Sequence, residues 1–217
     1  MVAVAAAAAV STQKHHQTIT NIIKKLQPVI HKLRHASNYL STPRMKQLYY
    51  THAYPHLIGD ISIWGTDDSS KTYIQPLVRI QKKLIRIIKN LPPRTHTKPI
   101  MQELSILSLY NLYTLRVCAE MHPHIYPKAN TNRPSHGHNY LWTAQIHDHQ
   151  TRHSQQQHQY IPNPYQYSAR IPHHSSDYLT QQYSKAWNGI PLEIRNNQSI
   201  SSFKTELRLY LLAAQDC

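Results

Sequence analysis

Residues Tyr73–Asn90, YIQPLVRIQKKLIRIIKN, restrict the fold more than any other stretch of this chain. Leu77, Ile80, Leu84, Ile87 and Ile88 recur at offsets of three and four, the period of an α-helix, and form one apolar stripe. Arg79, Lys82, Lys83, Arg86 and Lys89 recur at the same offsets and form a separate, basic face. No carboxylate lies between Asp68 and Glu103 to neutralise that face. A helix that packs on one side and is cationic on the other fits a polyanion, most simply nucleic acid held through its phosphates. The same run also reads as a solvated surface face, although surface helices usually interleave both signs.

The charge around this helix is uneven. The 217-residue chain has a net charge of +14, enough length to bury a core, and room for one large or two small domains. Residues 1–98 carry 15 Lys and Arg against 3 Asp and Glu, whereas residues 99–217 carry 9 against 7. The cationic field therefore belongs to the first half. Such a field favours nucleic acid or an anionic membrane surface without specifying a sequence, and it says nothing about fold.

Two cysteines, Cys118 and Cys217, exclude a disulfide framework and a cysteine-based zinc finger, and an intracellular setting is the default, nucleus and cytoplasm alike. No stretch approaches the ~20 apolar residues that span a bilayer. The opening MVAVAAAAAV lacks the basic n-region of a secretory signal and reads as a low-complexity leader with no role in the fold.

Along the chain, Ile19, Ile22, Ile23, Leu26, Ile30 and Leu33 predict a helix that Pro28 should kink or split. Lys24, Lys25, Lys32 and Arg34 add positive charge there. Ser41-Thr42-Pro43 predicts a helix start with Thr42 as N-cap and Pro43 in the first helical position, followed by Lys46. His56–Gly65 is helical or extended; ten residues do not decide. Leu91-Pro-Pro93 stops the basic helix. A further long helix is expected from about Lys98 to Met121, ended by Pro123 and Pro127. Residues 127–176 are rich in His, Gln, Asn, Pro and Tyr and read as a linker. Ser176–Trp187, ended by Asn188-Gly189, and a last helix capped by Ser199 close the chain. Its buried face is expected to carry Ile200, Phe203, Leu207, Tyr210 and Leu211.

Several stretches, in order, resemble the region downstream of the catalytic core in reverse transcriptases of LINE-like non-LTR retrotransposons. Leu48-Tyr49-Tyr50 through Ile61-x-Ile63-Trp64-Gly65 is similar to that family's Leu-Tyr-Tyr to Ile-x-Ile-Trp-Gly segment. Gln81-Lys82-Lys83 with Arg86-Ile87-Ile88 resembles its Gln-Lys-x-x-x-Arg-Ile-Ile helix. His96-Thr97-x-Pro99-Ile100 with Glu103-Leu104 and Ile106-Leu107 resembles the next helix start, and His147-x-x-x-Thr151-Arg152 a later element. Trp187-Asn188-x-Ile190-Pro191 and Phe203-Lys204 through Tyr210-Leu211-Leu212 resemble the closing motifs. The resemblance covers about residues 13–214, and the order of its pieces makes the signal specific where each alone is weak.

The resemblance implies a thumb-like region that grips primer and template through the phosphate backbone. It also implies a fragment without catalysis. The family's polymerase site uses a Tyr-x-Asp-Asp turn that holds two metal ions for phosphoryl transfer. The Asp-Asp of this chain, Asp67-Asp68, follows Trp64-Gly65-Thr66 and lacks the tyrosine two positions before it, so it reads as a solvated acidic loop. One departure lies inside the match. The family carries Tyr-Gly before Ile-x-Ile-Trp-Gly, whereas Gly59-Asp60 stand here, and an acid beside an apolar run must be solvated or paired. Together with the His-rich linker, this suggests a decayed copy.

Seventeen histidines raise a metal site, with His15-His16, His122-x-His124, His136-x-His138, His147-x-His149 and His173-His174 as pairs. Zinc wants three or four ligands on a rigid frame, and no Cys accompanies these pairs, so no metal and no cofactor is expected. Cys118 lies among Leu115, Val117 and Met121 and reads as a buried thiol. Tyr49, Tyr50, Tyr110, Tyr113, Trp64 and Trp187 read as core rather than as base-stacking platforms.

The sequence therefore predicts a mainly helical, all-α protein. Its parts are a low-complexity leader at 1–16, a thumb-like basic helical bundle at 17–126, a linker at 127–176 and a C-terminal helical segment at 177–217. The expected function is nucleic-acid binding without catalysis, to RNA, DNA or a hybrid. Phosphate contacts are expected from Arg79, Lys82, Lys83, Arg86 and Lys89, with Lys24, Lys25 and Lys46 as weaker candidates. The missing palm and fingers of a parent polymerase are a further expected partner. The alternatives are an inactive transposon relic that does not fold stably alone, and a binder of anionic membranes.

Overall fold

A computed structural model describes residues 2–65, 72–126, 140–142, 160–162, 183 and 185–215, with side chains from His16 onward except at 124, 140–142 and 160–162. The described protein is mainly helical, as its periodicities require. The expected linker at 127–176 lies outside the described residues apart from two three-residue strands. These are β1 (Tyr140–Trp142) and β2 (Tyr160–Pro162), paired antiparallel with Leu141 opposite Ile161.

The chain divides into two compact units, Ala5–Tyr113 with Leu209–Cys217, and Met1–Val4 with Thr114–Arg208. The first helix, α1, spans Val2–Ala36 and belongs to the first unit from Ala5 onward. It buries a narrow seam of Ile19, Leu26, Ile30 and Leu33. Residues 2–16 are part of this helix, so the segment expected to play no role in the fold is its first part. Pro28 sits inside α1 without splitting it. Proline removes the bond to the carbonyl of residue 24, and both Pro28 and Lys24 are exposed, so water can take that carbonyl.

Next come α2 (Thr42–Leu48), a π-helical turn (Tyr49–Ala53), α3 (Tyr54–Ile58) and α4 (Ile61–Trp64). The N-cap of α2 is Ser41 rather than Thr42, which puts Thr42 in the first helical position and Pro43 in the second, one later than expected. The open question over His56–Gly65 resolves to helix, interrupted by a turn in which Gly59 has φ −59° and Asp60 is left-handed with φ 52°. Asp60 is exposed, so its carboxylate is solvated and carries no burial cost. Beyond the turn, Trp64 is buried and its indole N–H donates to the Gly59 carbonyl at 2.8 Å.

A 3₁₀ turn at Thr72–Ile74 leads into α5 (Gln75–Ile88), followed by α6 (Lys98–Glu103) and α7 (Leu109–Ile125). The long helix expected over Lys98–Met121 is therefore two. After α6 the chain enters the left-handed region at Ser105 (φ 54°), and the Ile106 N–H closes on the Met101 carbonyl at 2.8 Å. This is a Schellman-type stop. Ser108 then caps α7, its hydroxyl accepting the Asn111 N–H at 3.3 Å. Pro123 lies inside α7 and does not end it.

In the second unit the core is aromatic. Trp187 and Phe203 stack at 5.3 Å with 27° between planes, and His122 packs 4.6 Å from Phe203. Residues 183 and 185–188 are helical, so the helix runs one residue past the expected end at Trp187 and stops before Gly189. The other described helices are α8 (Leu192–Arg195) and α9 (Ile200–Ala213), whose residues 209–213 belong to the first unit. Within α9, Phe203, Leu207 and Leu211 are buried, Ile200 is half-buried, and Tyr210, expected inside, is exposed.

Candidate nucleic-acid interface

The basic face sits on α5. Leu77, Val78, Ile80, Gln81, Leu84, Ile85, Ile87 and Ile88 are buried. At about 100° per residue these eight positions cover one half of the helix circumference, a wider stripe than the five residues expected. Arg79, Lys82, Lys83, Arg86 and Lys89 all project into the other half. The helix is held in place by a buried node. The Gln81 side-chain N–H group donates to the Leu107 carbonyl at 2.9 Å and, longer, to the Tyr49 hydroxyl at 3.4 Å. Burial pushes the Tyr49 phenol well above its ordinary range, with the Gln81 bond opposing the shift, so the phenol is neutral. Tyr49, Gln81 and Leu107 belong to three different motifs of the family resemblance, and they meet here.

The five expected phosphate contacts fall into two groups. Arg79 and Lys83 are exposed, and Lys82 is half-buried. Arg86 is half-buried, and its Nε–H donates to the Thr95 carbonyl at 2.8 Å. Lys89 forms an ion pair with Glu103, so the face is not wholly without a carboxylate. Arg86 and Lys89 thus tie the segment after α5 and α6 back onto α5, whereas Arg79, Lys82 and Lys83 line the rest of the face.

The weaker candidates are less coherent. Lys24 and Lys25 are exposed on α1, but adjacent helical positions lie about 100° apart, so they point to different sides. Lys46 on α2 is half-buried. No described hydrogen bond or ion pair joins these three to the α5 set. Lys32 and His52 line a cleft of about 170 Å³ with Val29, Leu33, Ala36 and Leu48, a feature that periodicity in a single helix does not reveal.

Several residues singled out for other chemistry are structural. Tyr49, Tyr113, Trp64, Trp187 and Cys118 are buried, and Tyr50 and Tyr110 are half-buried. His122 is buried among Tyr126, Trp187 and Phe203, and its Nε2 lies 2.8 Å from the Asn197 carbonyl. A carbonyl only accepts, so Nε2 carries the proton. Burial lowers the imidazole pKa below 6.5, nearby Lys204 lowers it further, and the Asn197 bond opposes them. Among the described residues, no group of three or more His, Cys, Asp or Glu is placed to hold a metal ion. The pairs at 136/138, 147/149 and 173/174, and Asp67-Asp68, lie outside the described residues.

No described helix is long and apolar enough to cross a membrane. Comparison with protein-family models, with curated proteins and with solved structures finds no match for this chain.

Proposed function

We propose that this chain is a non-catalytic nucleic-acid-binding fragment of a LINE-like non-LTR retrotransposon reverse transcriptase, gripping the phosphate backbone through α5. One observation carries the reading: one half of α5 is buried and the other holds its four cations, Arg79, Lys82, Lys83 and Arg86, with Lys89 at the C-cap and no carboxylate on the helix itself. The resemblance adds the polymerase context, and the meeting of its motif residues at the Gln81 node supports it.

Phosphate contacts on α5 fall to Arg79, Lys82 and Lys83, because Arg86 and Lys89 are engaged inside the protein. Three contacts give log K against log salt a slope of about −3, and each further cation engaged adds about −0.9. Titration of a labelled duplex across several salt concentrations measures the slope. Salt-independent affinity, or none, rejects the proposal.

A second reading is favoured by Asp60, which stands in a left-handed conformation where the family pattern places glycine. A chain under no selection accumulates such substitutions. On that reading the protein is an inactive transposon relic that does not fold stably alone. A flat thermal melt by circular dichroism supports the relic, and a cooperative melt supports the binding fragment.

A further inference from the structure

The segment joining α5 to α6, Leu91-Pro-Pro-Arg-Thr-His-Thr97, has no role in the helical periodicity, yet it is held at several points. Asn90 is left-handed with φ 51°, and the Leu91 N–H closes on the Arg86 carbonyl at 2.9 Å, which turns the chain sharply at the end of α5. The Thr95 N–H donates to the Pro92 carbonyl at 3.1 Å, making a four-residue turn with Pro93 and Arg94 at its corners. Pro93 fixes its own φ, so this turn loses little entropy on ordering. The Arg86 guanidinium then reaches across and donates to the Thr95 carbonyl at 2.8 Å. Thr97 is buried, and Lys89 pairs with Glu103 at the far end of α6.

These ties fold the loop onto the C-terminal end of the basic face. None of them uses Arg94, which is exposed at the corner of the turn. Residues 79–98 hold seven Lys and Arg and no Asp or Glu, so apart from the Glu103 carboxylate paired with Lys89 the positive charge continues from the helix onto the loop. A cation on a double-proline turn is pre-organised, unlike one on a mobile loop, and costs less to immobilise against a ligand.

We propose that this turn is the second half of the phosphate-binding surface, with Arg94 as a backbone contact and Arg86 as the positioning residue that holds the turn. The proposal rests on the reading of α5 as a nucleic-acid interface. It assigns Arg86 a role other than the direct contact its helical position predicts.

The test is fluorescence anisotropy of the full chain with a short labelled duplex of mixed sequence, across a salt series. Arg94→Gln is expected to weaken binding about threefold to tenfold at physiological salt and to reduce the slope by about 0.9. Arg86→Gln is expected to weaken binding at least as much, and adding Arg94→Gln to it should cost nothing further, because the turn is already loose. Arg86→Lys keeps a donor able to reach the Thr95 carbonyl and is expected to recover most of the affinity. Lys83→Gln serves as the reference for α5 itself. If Lys83→Gln weakens binding and Arg94→Gln leaves affinity and slope unchanged, the turn is no part of the surface and only this inference falls. Additive losses in the double variant overturn the positioning role of Arg86. If the unsubstituted chain shows no salt-dependent binding, the α5 reading falls and takes this one with it.

Discussion

Gly65 is fixed by close approach rather than by backbone conformation. A Cβ there would run into the Ile61 carbonyl and come within 2.7 Å of the Tyr113 ring. The first obstacle is helix backbone and cannot yield. Gly65→Ala is therefore expected to cost about 2–3 kcal/mol, read as a lower denaturation midpoint at unchanged slope. Gly189 is the contrasting case. It follows a helix as a C-cap glycine would, but it is not left-handed, and its nearest neighbours would sit at 3.5 Å. Gly189→Ala is expected to leave the midpoint within about 0.5 kcal/mol of the parent. Asp60, Asn90 and Ser105 do occupy the left-handed region, at φ 52°, 51° and 54°. An L side chain in that region costs about 1 kcal/mol, least for Asn and Asp, so Asp60→Gly should raise the midpoint by about 0.5–1 kcal/mol. An unchanged or lower midpoint would mean that the Asp60 side chain contributes something the turn geometry does not show.

At the scale of elements, α7 carries a buried histidine, His122, from which acid sensitivity of the second unit is expected. His122 on α7 sits among Tyr126, Trp187 and Phe203 with its Nε2–H donated to Asn197. Its pKa is below 6.5 in the fold because burial disfavours the imidazolium. The unfolded chain therefore binds the proton more readily. Stability is complete above about pH 6.5 and falls as the pH drops from there through the lower folded pKa, with each unit between the two worth about 1.4 kcal/mol. Melts at pH 7.5 and 5 are expected to show this loss, and His122→Gln to reduce it. Equal pH dependence in the variant would place the acid sensitivity elsewhere. The helices also show what a sequence makes legible. The burial of Trp187, Phe203, Leu207 and Leu211 follows from period and apolar character, and so does that of Leu77, Ile80, Leu84, Ile87 and Ile88 on α5, but not that of the polar Gln81. The division between α6 and α7 does not follow, because Ser105 is left-handed without being glycine and the Ser108 cap lies inside an apolar run. The ties of Arg86 and Lys89 are hidden for another reason. One acceptor is a backbone carbonyl nine residues on, the other a carboxylate fourteen residues on, and helical spacing reports neither.

For the molecule as a whole, the question is whether its charge acts as a diffuse field or at a place. A net charge of +14 attracts any polyanion, and a purely diffuse attraction would be indifferent to which cation is removed. A built surface is not indifferent. Lys185 and Lys204 are exposed in the unit Thr114–Arg208, while Arg79 and Lys83 are exposed on α5 in the other unit. Replacing either pair by glutamine removes the same two charges. The pair on α5 lies on a helix whose opposite half is buried, so its direction is fixed by packing, and phosphates that meet one of its cations meet the next a turn later. Arg79→Gln with Lys83→Gln is therefore expected to flatten the salt slope by about 1.8, and Lys185→Gln with Lys204→Gln to leave it within error of the parent chain. Equal losses from the two pairs would reduce α5 to a share of the overall charge and remove the argument for a specific interface. All four residues are exposed, so helicity and melting temperature should match the parent in both variants, and a difference in binding would then report the placement of charge and not the state of the fold.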